Sequence, residues 1–361
     1  MPVRERDVTR RDGADPDVGA LRRTFPWGAV GAPWVVSRVL SVAVMLAAVA
    51  DPCRGSRFTQ FALKWDGAYY VGIARTGYGA VDVEFPRWAF FPGLPGVIRA
   101  LRELGNDEVL IFAVNQLALL VALAGVYRIA LRYGSPRASK LAVWSLALFP
   151  ASFVFSMTYA SSLFLAVSVW AFVLVDDGHD LVVGVLAAGA ALLRPNGIVI
   201  AVSLAVAVRV LRRVVVVVVP AVVAVLLWSW YCYERTGDAL VFLTTKERWQ
   251  EISAVGLVSG DAKWSVLPHL VLAVAAIAVV VWQRKRMPPA FLVLTALSLL
   301  PSLATGMVGL ARYTNECFPP FIAAGQVLER WSTRVQVALL SLSAVGLVLF
   351  AFVVARYELV P

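Results

Sequence analysis

Hydrophobic residues fall in long runs separated by short polar breaks along this chain of 361 residues. A helix needs about 20 consecutive apolar residues to cross a bilayer. The pattern predicts an all-α polytopic membrane protein, a bundle of about 9–11 transmembrane helices. The apolar runs lie near residues 30–50, 109–131, 141–158, 159–175, 181–208, 214–232, 265–283, 290–308 and 335–355.

Two regions depart from a plain succession of spans. The run 181–208 is interrupted by Arg194-Pro195-Asn196-Gly197, which predicts a hairpin of two short helices, because proline and glycine break helices. The stretch 318–329 is too short for a span and includes a proline pair near its start.

Composition agrees with a membrane protein. Hydrophobic residues make up 60% and charged residues 16% of the chain, against roughly 45–50% and 25% in soluble domains. Too little polar surface is present for a soluble enzyme, a disordered chain or a coiled coil. Three cysteines, an odd number without metal-type spacing, give no disulfide framework.

The distribution of charge predicts the orientation. The net charge is +10, but the basic residues cluster near 128–140, 209–213 and 284–286, as positive-inside loops do, so no nucleic-acid partner is expected. The basic tail 1–28 is predicted to be disordered and cytoplasmic, followed by one transmembrane domain over 29–361. The preference for Arg over Lys, with abundant Ala and Val, indicates a multi-pass protein of a bacterial plasma membrane.

The opposite, extracytoplasmic side then receives the loops 51–108, 233–263 and 309–317. The cytoplasmic connections are short and carry no phosphate-binding loop, which argues against an ATP-driven pump. Chemistry is therefore expected on the outer face, with a substrate that is already activated.

The segment 64–95 of the first outer loop is too polar to span and rich in aromatic residues, which favour the membrane interface. At helical spacing, Asp66, Tyr69, Tyr70 and Ile73 share one face of a short interfacial helix. Asp66 is the candidate catalytic carboxylate. An aspartate that starts a turn or caps a helix explains the same residue.

This loop resembles a known family. W-D-G-x-Y-Y-x-x-I-A-x-x-G-Y at 65–78 and A-F-F-P-x-x-P at 89–95 are similar to the first extracytoplasmic loop of the PIG-V-type GPI mannosyltransferases and their bacterial relatives. Weaker matches follow in order at Asn115, 148–150, 155, 159–165, 194–197 and 312–313.

The resemblance implies a GT-C glycosyltransferase that uses a sugar carried on a polyprenyl phosphate, here polyprenyl-phosphate mannose, and a lipid or glycan acceptor. Asp66 matches the family's essential carboxylate, which implies a general base in an inverting transfer. A lipid-phosphate donor carries its own activation, so no further cofactor is required. The predicted substrate-binding residues are Lys64, Trp65, Tyr69, Tyr70, Arg75, Tyr78, Tyr159, Arg194, Asn196 and Arg312.

Two arginines near the outer ends of apolar runs, Arg194 and Arg312, are candidate phosphate ligands for a separate reason. A charge within an apolar run is costly, so it faces a cavity or a partner. Arg194 or Arg312 could hold a phosphate oxygen in bidentate fashion. A structural turn in which Arg194 pairs with a carboxylate explains the sequence equally well. Tyr159 and Asn196 are expected to line the same cavity.

The chain departs from the family pattern at Ser161, where glutamate is common, and at Lys64, where arginine often stands. A homologue without activity therefore stays open, as does a transporter or flippase for a lipid-linked substrate. Asp82 and Glu84 are candidate ligands of a divalent ion, and a solvated loop explains them as well. Segment 246–251 is either an interfacial helix or a solvated charged face.

Overall fold

The computed structural model describes residues 25–49, 55–79, 86–245, 263–304 and 309–356. Throughout these ranges the regular elements are helical and no β-strand occurs. The predicted all-α class is therefore confirmed for the part of the chain that the structure describes. The predicted basic tail up to residue 24, Asp82, Glu84 and the segment 246–251 lie outside the described residues.

The α-helices alternate with a few 3-10 turns. In chain order, the α-helices are α1 (Trp27–Ala48), α2 (Arg57–Ala62), α3 (Asp66–Thr76), α4 (Gly93–Leu101), α5 (Asp107–Tyr133), α6 (Pro136–Ala147), α7 (Ser161–Asp176), α8 (Asp180–Leu193), α9 (Ile198–Val208), α10 (Leu211–Thr236), α11 (Lys263–Gln283), α12 (Pro289–Ala304), α13 (Leu310–Glu316), α14 (Pro319–Leu328) and α15 (Thr333–Ala355). The 3-10 turns are Arg87–Ala89, Arg102–Leu104, Pro150–Ser156, Pro195–Gly197 and Arg284–Arg286.

Five helices in the described residues are long and apolar enough to cross a membrane: α1, α5, α10, α11 and α15. A sixth span forms if α6 and the 3-10 turn Pro150–Ser156 count together, although the two axes meet at 74°. Helices α7, α8, α9 and α12 are apolar but shorter. Large apolar side chains of α10, such as Leu226, Leu227 and Trp230, are exposed on its surface. Such a surface requires lipid around it, and the chain is a multi-pass membrane protein.

Both irregular regions fold as the sequence predicts. Helices α8 and α9 are separated by Arg194, whose backbone is extended (φ −155°), and by the turn Pro195–Gly197. Helix α14 has ten residues, nearly all buried, and packs between α6 and α11.

Polar contacts gather the basic loops at one end of the bundle. Arg132, at the end of α5, bonds to Asp176, the last residue of α7, and to Asp177, which follows it, each at 2.8 Å. Arg213, at the start of α10, bonds to Asp180 at 2.7 Å. Since α5 has 27 residues, its other end lies about 40 Å away. That these loops face the cytoplasm stays a prediction.

The first large loop, 51–108, contains the short helices α2, α3 and α4, as the sequence predicts. Helix α4 packs on α3, and Arg75 near the end of α3 bonds to Asp107 at the start of α5 (2.8 Å). The loop therefore sits at the end of the bundle opposite the basic loops.

Candidate active site

Asp66 begins helix α3 in a tightly constrained backbone. The preceding residue, Trp65, has φ +55°, a left-handed conformation that costs a bulky residue about 1–3 kcal/mol. The next residue must be glycine, because a Cβ on Gly67 would clash with the carbonyl oxygen of Ala62 and stand 3.4 Å from Thr158 Cβ. Such local cost is typical of functional sites.

The Asp66 carboxylate does not cap the helix, because Trp65 occupies the cap position and Asp66 is the first helical residue. Its Oδ2 accepts a hydrogen bond from Arg312 Nη1 at 2.6 Å. Its backbone N–H donates to the Tyr159 hydroxyl at 3.3 Å. Asp66 is 9% exposed and therefore almost out of solvent. The geometry favours a carboxylate that Arg312 holds in place over an aspartate that caps the helix.

Arg312 lies on the short helix α13 and contacts three of the predicted site residues or their neighbours. Its guanidinium carbon lies 5.1 Å from the centre of the Tyr159 ring and 5.5 Å from that of Tyr313. Its Nε is buried and makes no hydrogen bond within the described residues. The guanidinium thus retains an unused donor beside the Asp66 carboxylate.

Arg194 forms a second buried ion pair beside the first. Its Nη1 contacts Glu316 Oε2, and both residues are almost fully buried. The Arg194 guanidinium lies 5.1 Å from the Tyr313 ring, so this ring stands between the two arginines. Of the two interpretations of Arg194, a phosphate ligand or a turn residue paired with a carboxylate, the pairing is the one observed.

Several buried polar atoms near these pairs make no hydrogen bond within the described residues. Both amide atoms of Asn315, Glu316 Oε1, Asn196 Oδ1 and Ser161 Oγ are in this group. Buried polar groups in folded proteins nearly always find a partner in protein, water or ligand. Unused donors and acceptors of this kind are what a polyhydroxylated substrate would satisfy.

The loop tyrosines form an aromatic wall around Phe90. The Tyr69 ring stacks on Phe90 and the Tyr70 ring meets it edge to face, both at 5.0 Å. Burial raises the pKa of the Tyr70 hydroxyl above its usual value, so this side chain stays neutral. Burial and then the Asp66 charge also raise the pKa of Tyr69. The Tyr78 hydroxyl donates to Phe90 O at 3.1 Å and its ring stacks on Trp88.

Two predicted substrate-binding residues make contacts away from this cluster. Arg75 is about 14 Å from Asp66 along α3, half exposed, and paired with Asp107. Lys64 is buried and its ammonium donates to the carbonyl oxygen of Ala355 at the end of α15. A cation at a helix C-terminus stabilises it, so the structure gives Lys64 a contact that supports the bundle.

No protein-family model matches the sequence, and no curated protein matches it. Among solved structures, a crystal structure of the Archaeoglobus fulgidus oligosaccharyltransferase in complex with Zn and sulfate is similar, with a TM-score of 0.48 and 13% identity over 91% of this chain and 53% of that one. A second structure of that protein, tethered with an acceptor peptide containing the NVT sequon, gives 0.48 and 12% over 93% and 56%. This chain spans about half the length of that protein. At this degree of likeness, neither structure assigns an activity to this chain.

Sequence reasoning missed Glu316 and Asn315. Both stand one turn after Arg312 on the same short helix, at i+4 and i+3, so they share its face. The signal was available, since 309–317 is a short polar stretch beside apolar runs. Among the described residues, no group of three or more metal-type ligands occurs.

Proposed function

We propose that this chain is a GT-C-type membrane glycosyltransferase that moves mannose from polyprenyl-phosphate mannose to a hydroxyl of a lipid or glycan acceptor on the extracytoplasmic face of a bacterial plasma membrane. The observation that carries the proposal is the ion pair between Asp66 and Arg312, at 2.6 Å, in which the buried guanidinium Nε makes no hydrogen bond to any residue that the structure describes. The pair brings together a carboxylate that can act as a base and a guanidinium that can bind a phosphate. Inverting transfer uses these groups on opposite faces of the anomeric carbon, so binding of the donor must separate them.

In the proposed reaction, the acceptor oxygen attacks the anomeric carbon while the bond from that carbon to the phosphate oxygen breaks. Asp66 takes the proton of the acceptor hydroxyl, a role worth about 10²–10⁴ in rate. Arg312 holds the departing phosphate, and charge-assisted hydrogen bonds of this type are the stronger ones. The sugar leaves the donor with inverted configuration and polyprenyl phosphate is released.

The surroundings of the pair suit a sugar. Tyr69 and Phe90 offer stacked aromatic rings, and Asn315 and Asn196 offer amide atoms that make no other hydrogen bond within the described residues. No step of this reaction needs a metal, and removal of divalent ions by EDTA is expected to leave transfer unchanged. Metal dependence would bring Asp82 and Glu84 back as ligands.

The direct experiment reconstitutes the purified protein in liposomes with radiolabelled polyprenyl-phosphate mannose and an acceptor lipid extract. The proposal expects label in a new lipid or glycan product and release of polyprenyl phosphate. GDP-mannose, a nucleotide sugar, serves as the matched donor that the site should not use.

A lipid-linked-substrate transporter is the second candidate, and the broken helices favour it. The 74° bend at Pro150–Ser156 and the extended Arg194 between α8 and α9 are interruptions of the kind that transporters place at substrate sites. Label that crosses the bilayer without entering a new product would favour transport and contradict the glycosyltransferase.

A further inference from the structure

A third buried arginine, Arg38, lies in the middle of the spanning helix α1 and is 6% exposed. Its Nη1 donates to Ser156 Oγ at 2.8 Å, and its Nη2 donates to Ser152 Oγ at 2.5 Å and to Ser152 O at 3.0 Å. The Nε donates to Ser37 Oγ at 3.3 Å. Within the described residues, no carboxylate forms an ion pair with Arg38, in contrast to Arg194 and Arg312.

A charge buried without a countercharge is unfavourable, and an apolar side chain in its place would pack at lower cost. What the guanidinium provides is geometry. Its planar fork reaches two points of the 3-10 turn Pro150–Ser156 at once, which an ammonium or an amide cannot do. Arg38 therefore fixes both the position and the rotation of this turn against α1.

The same turn leads directly into the active site. Three residues beyond Ser156, the Tyr159 hydroxyl accepts from the Asp66 backbone N–H, and its ring lies against Arg312. Between them, Thr158 N–H donates to Ala62 O at 3.4 Å, next to the start of α3.

Asn115 holds the connecting segment from the opposite side. Its amide donates to Met157 O at 2.7 Å and to Tyr159 O at 3.2 Å. The segment from Ser152 to Tyr159 is thus hydrogen-bonded to both α1 and α5. Arg38 bonds to the part of this segment that lies farther from Asp66.

We infer that Arg38 is a positioning residue, which acts through the turn Pro150–Ser156 and Tyr159 to hold Asp66 and Arg312 in register. The inference rests on the proposed function for its kinetic consequence, while the contact itself can be tested without any substrate. A misplacement of about 1 Å in a catalytic group can reduce the rate roughly 100-fold.

The test combines 19F NMR of 3-fluorotyrosine incorporated at position 159 with transfer kinetics, both on the full chain in lipid nanodiscs. Arg38→Gln is expected to move or split the fluorine resonance. It should lower kcat about 100-fold while the donor KM changes by less than about twofold, the pattern of a lost transition-state alignment. Arg38→Lys should recover part of kcat, since it keeps the charge but reaches one serine only.

Arg213→Gln is the matched control, because this arginine bonds to Asp180 at the far end of the bundle, and it should leave both readouts unchanged. Where Arg38→Gln fails to fold, Ser156→Ala removes only one of the serine oxygens, and it should move the resonance in the same direction by less. An unmoved resonance in a folded variant, or a kcat that falls only with the folded fraction, would overturn the inference. If Arg38→Gln moves the resonance but the wild-type protein shows no transfer at all, the contact is sustained and the proposed function is refuted.

Discussion

Asp66 and Arg312 form an ion pair in which Oδ2 and Nη1 lie 2.6 Å apart. The carboxylate is the proposed base and the guanidinium the proposed phosphate ligand. In the proposed reaction, the donor phosphate competes with Asp66 for Nη1 of Arg312, and phosphate binding frees the carboxylate to accept a proton. The pair thus links phosphate binding by Arg312 to proton transfer to Asp66 in the proposed reaction.

The first prediction follows from this competition. Asp66→Asn removes the competing charge, so polyprenyl phosphate should bind the variant about 12- to 160-fold more tightly, the equivalent of the 1.5–3 kcal/mol of a hydrogen bond to a charged group. Isothermal titration in nanodiscs measures the dissociation constant. Asp180→Asn, which removes the carboxylate bound to Arg213 at the other end, should bind as the wild type does. Equal affinity in Asp66→Asn and wild type would contradict the competition between the donor phosphate and Asp66 for Arg312.

A second prediction separates the Arg194–Glu316 pair from the catalytic pair. Glu316→Gln leaves the Arg194 charge buried without a partner, and loss of one member of such a pair costs about 3–5 kcal/mol. Thermal unfolding in detergent should show a large drop in Tm. The double variant Arg194→Met with Glu316→Leu should regain most of it, because an apolar pair replaces the buried charges. A Glu316→Gln protein of normal stability without activity would make Glu316 a catalytic acid or base.

Asn315 offers a third prediction, since its amide makes no hydrogen bond within the described residues. Asn315→Leu keeps the number and branching of the heavy atoms and removes two unsatisfied buried polar atoms, so it should leave the Tm unchanged or slightly raised. If the amide binds a sugar hydroxyl, the acceptor KM should rise about tenfold, the value of one hydrogen bond. Steady-state transfer kinetics measure this, and wild-type constants would remove Asn315 from the site.

Much of the architecture could be predicted from the sequence, because hydrophobic runs and helix breakers are local signals. The helices α1, α5 and α10, the break at Arg194 and the short α3 all follow from such signals. Asp66 and Arg312 were both identifiable as candidates. Their contact was not, since it joins residues 246 positions apart.

The roles of Glu316 and Arg38 could not be predicted from the sequence, for physical reasons. Glu316 stands in a short polar stretch that is visible in the sequence, but only the fold places it beside Arg194, as the carboxylate that the turn interpretation required. Arg38 is a single charge inside a long apolar run, where the averaged hydropathy conceals it. The rule that an intramembrane charge faces a partner applies to it as to Arg194, but its partners are serines, which have no distinctive pattern in sequence.

A fourth prediction concerns orientation. In a chain without native cysteines, single cysteines introduced at positions 82 and 255 should react with an impermeant maleimide in intact cells, whereas one at 136 should react only after permeabilisation. The reason is the clustering of basic residues at the end of the bundle that contains Arg132 and Arg213. Labelling at 136 in intact cells would place Asp66 on the cytoplasmic side.

The most direct test of the central claim is the transfer rate of Asp66→Asn with polyprenyl-phosphate mannose. The substitution preserves shape and leaves the helix cap intact, because Trp65, not Asp66, occupies the cap position of α3. With a base removed, the rate per folded molecule should fall at least about 100-fold. The folded and inserted fraction is measured beside that of Asp180→Asn, because Asp66→Asn also leaves the Arg312 charge without its partner carboxylate. A rate above about one tenth of wild type, far outside the loss expected for a general base, would contradict the assignment of Asp66 as the base.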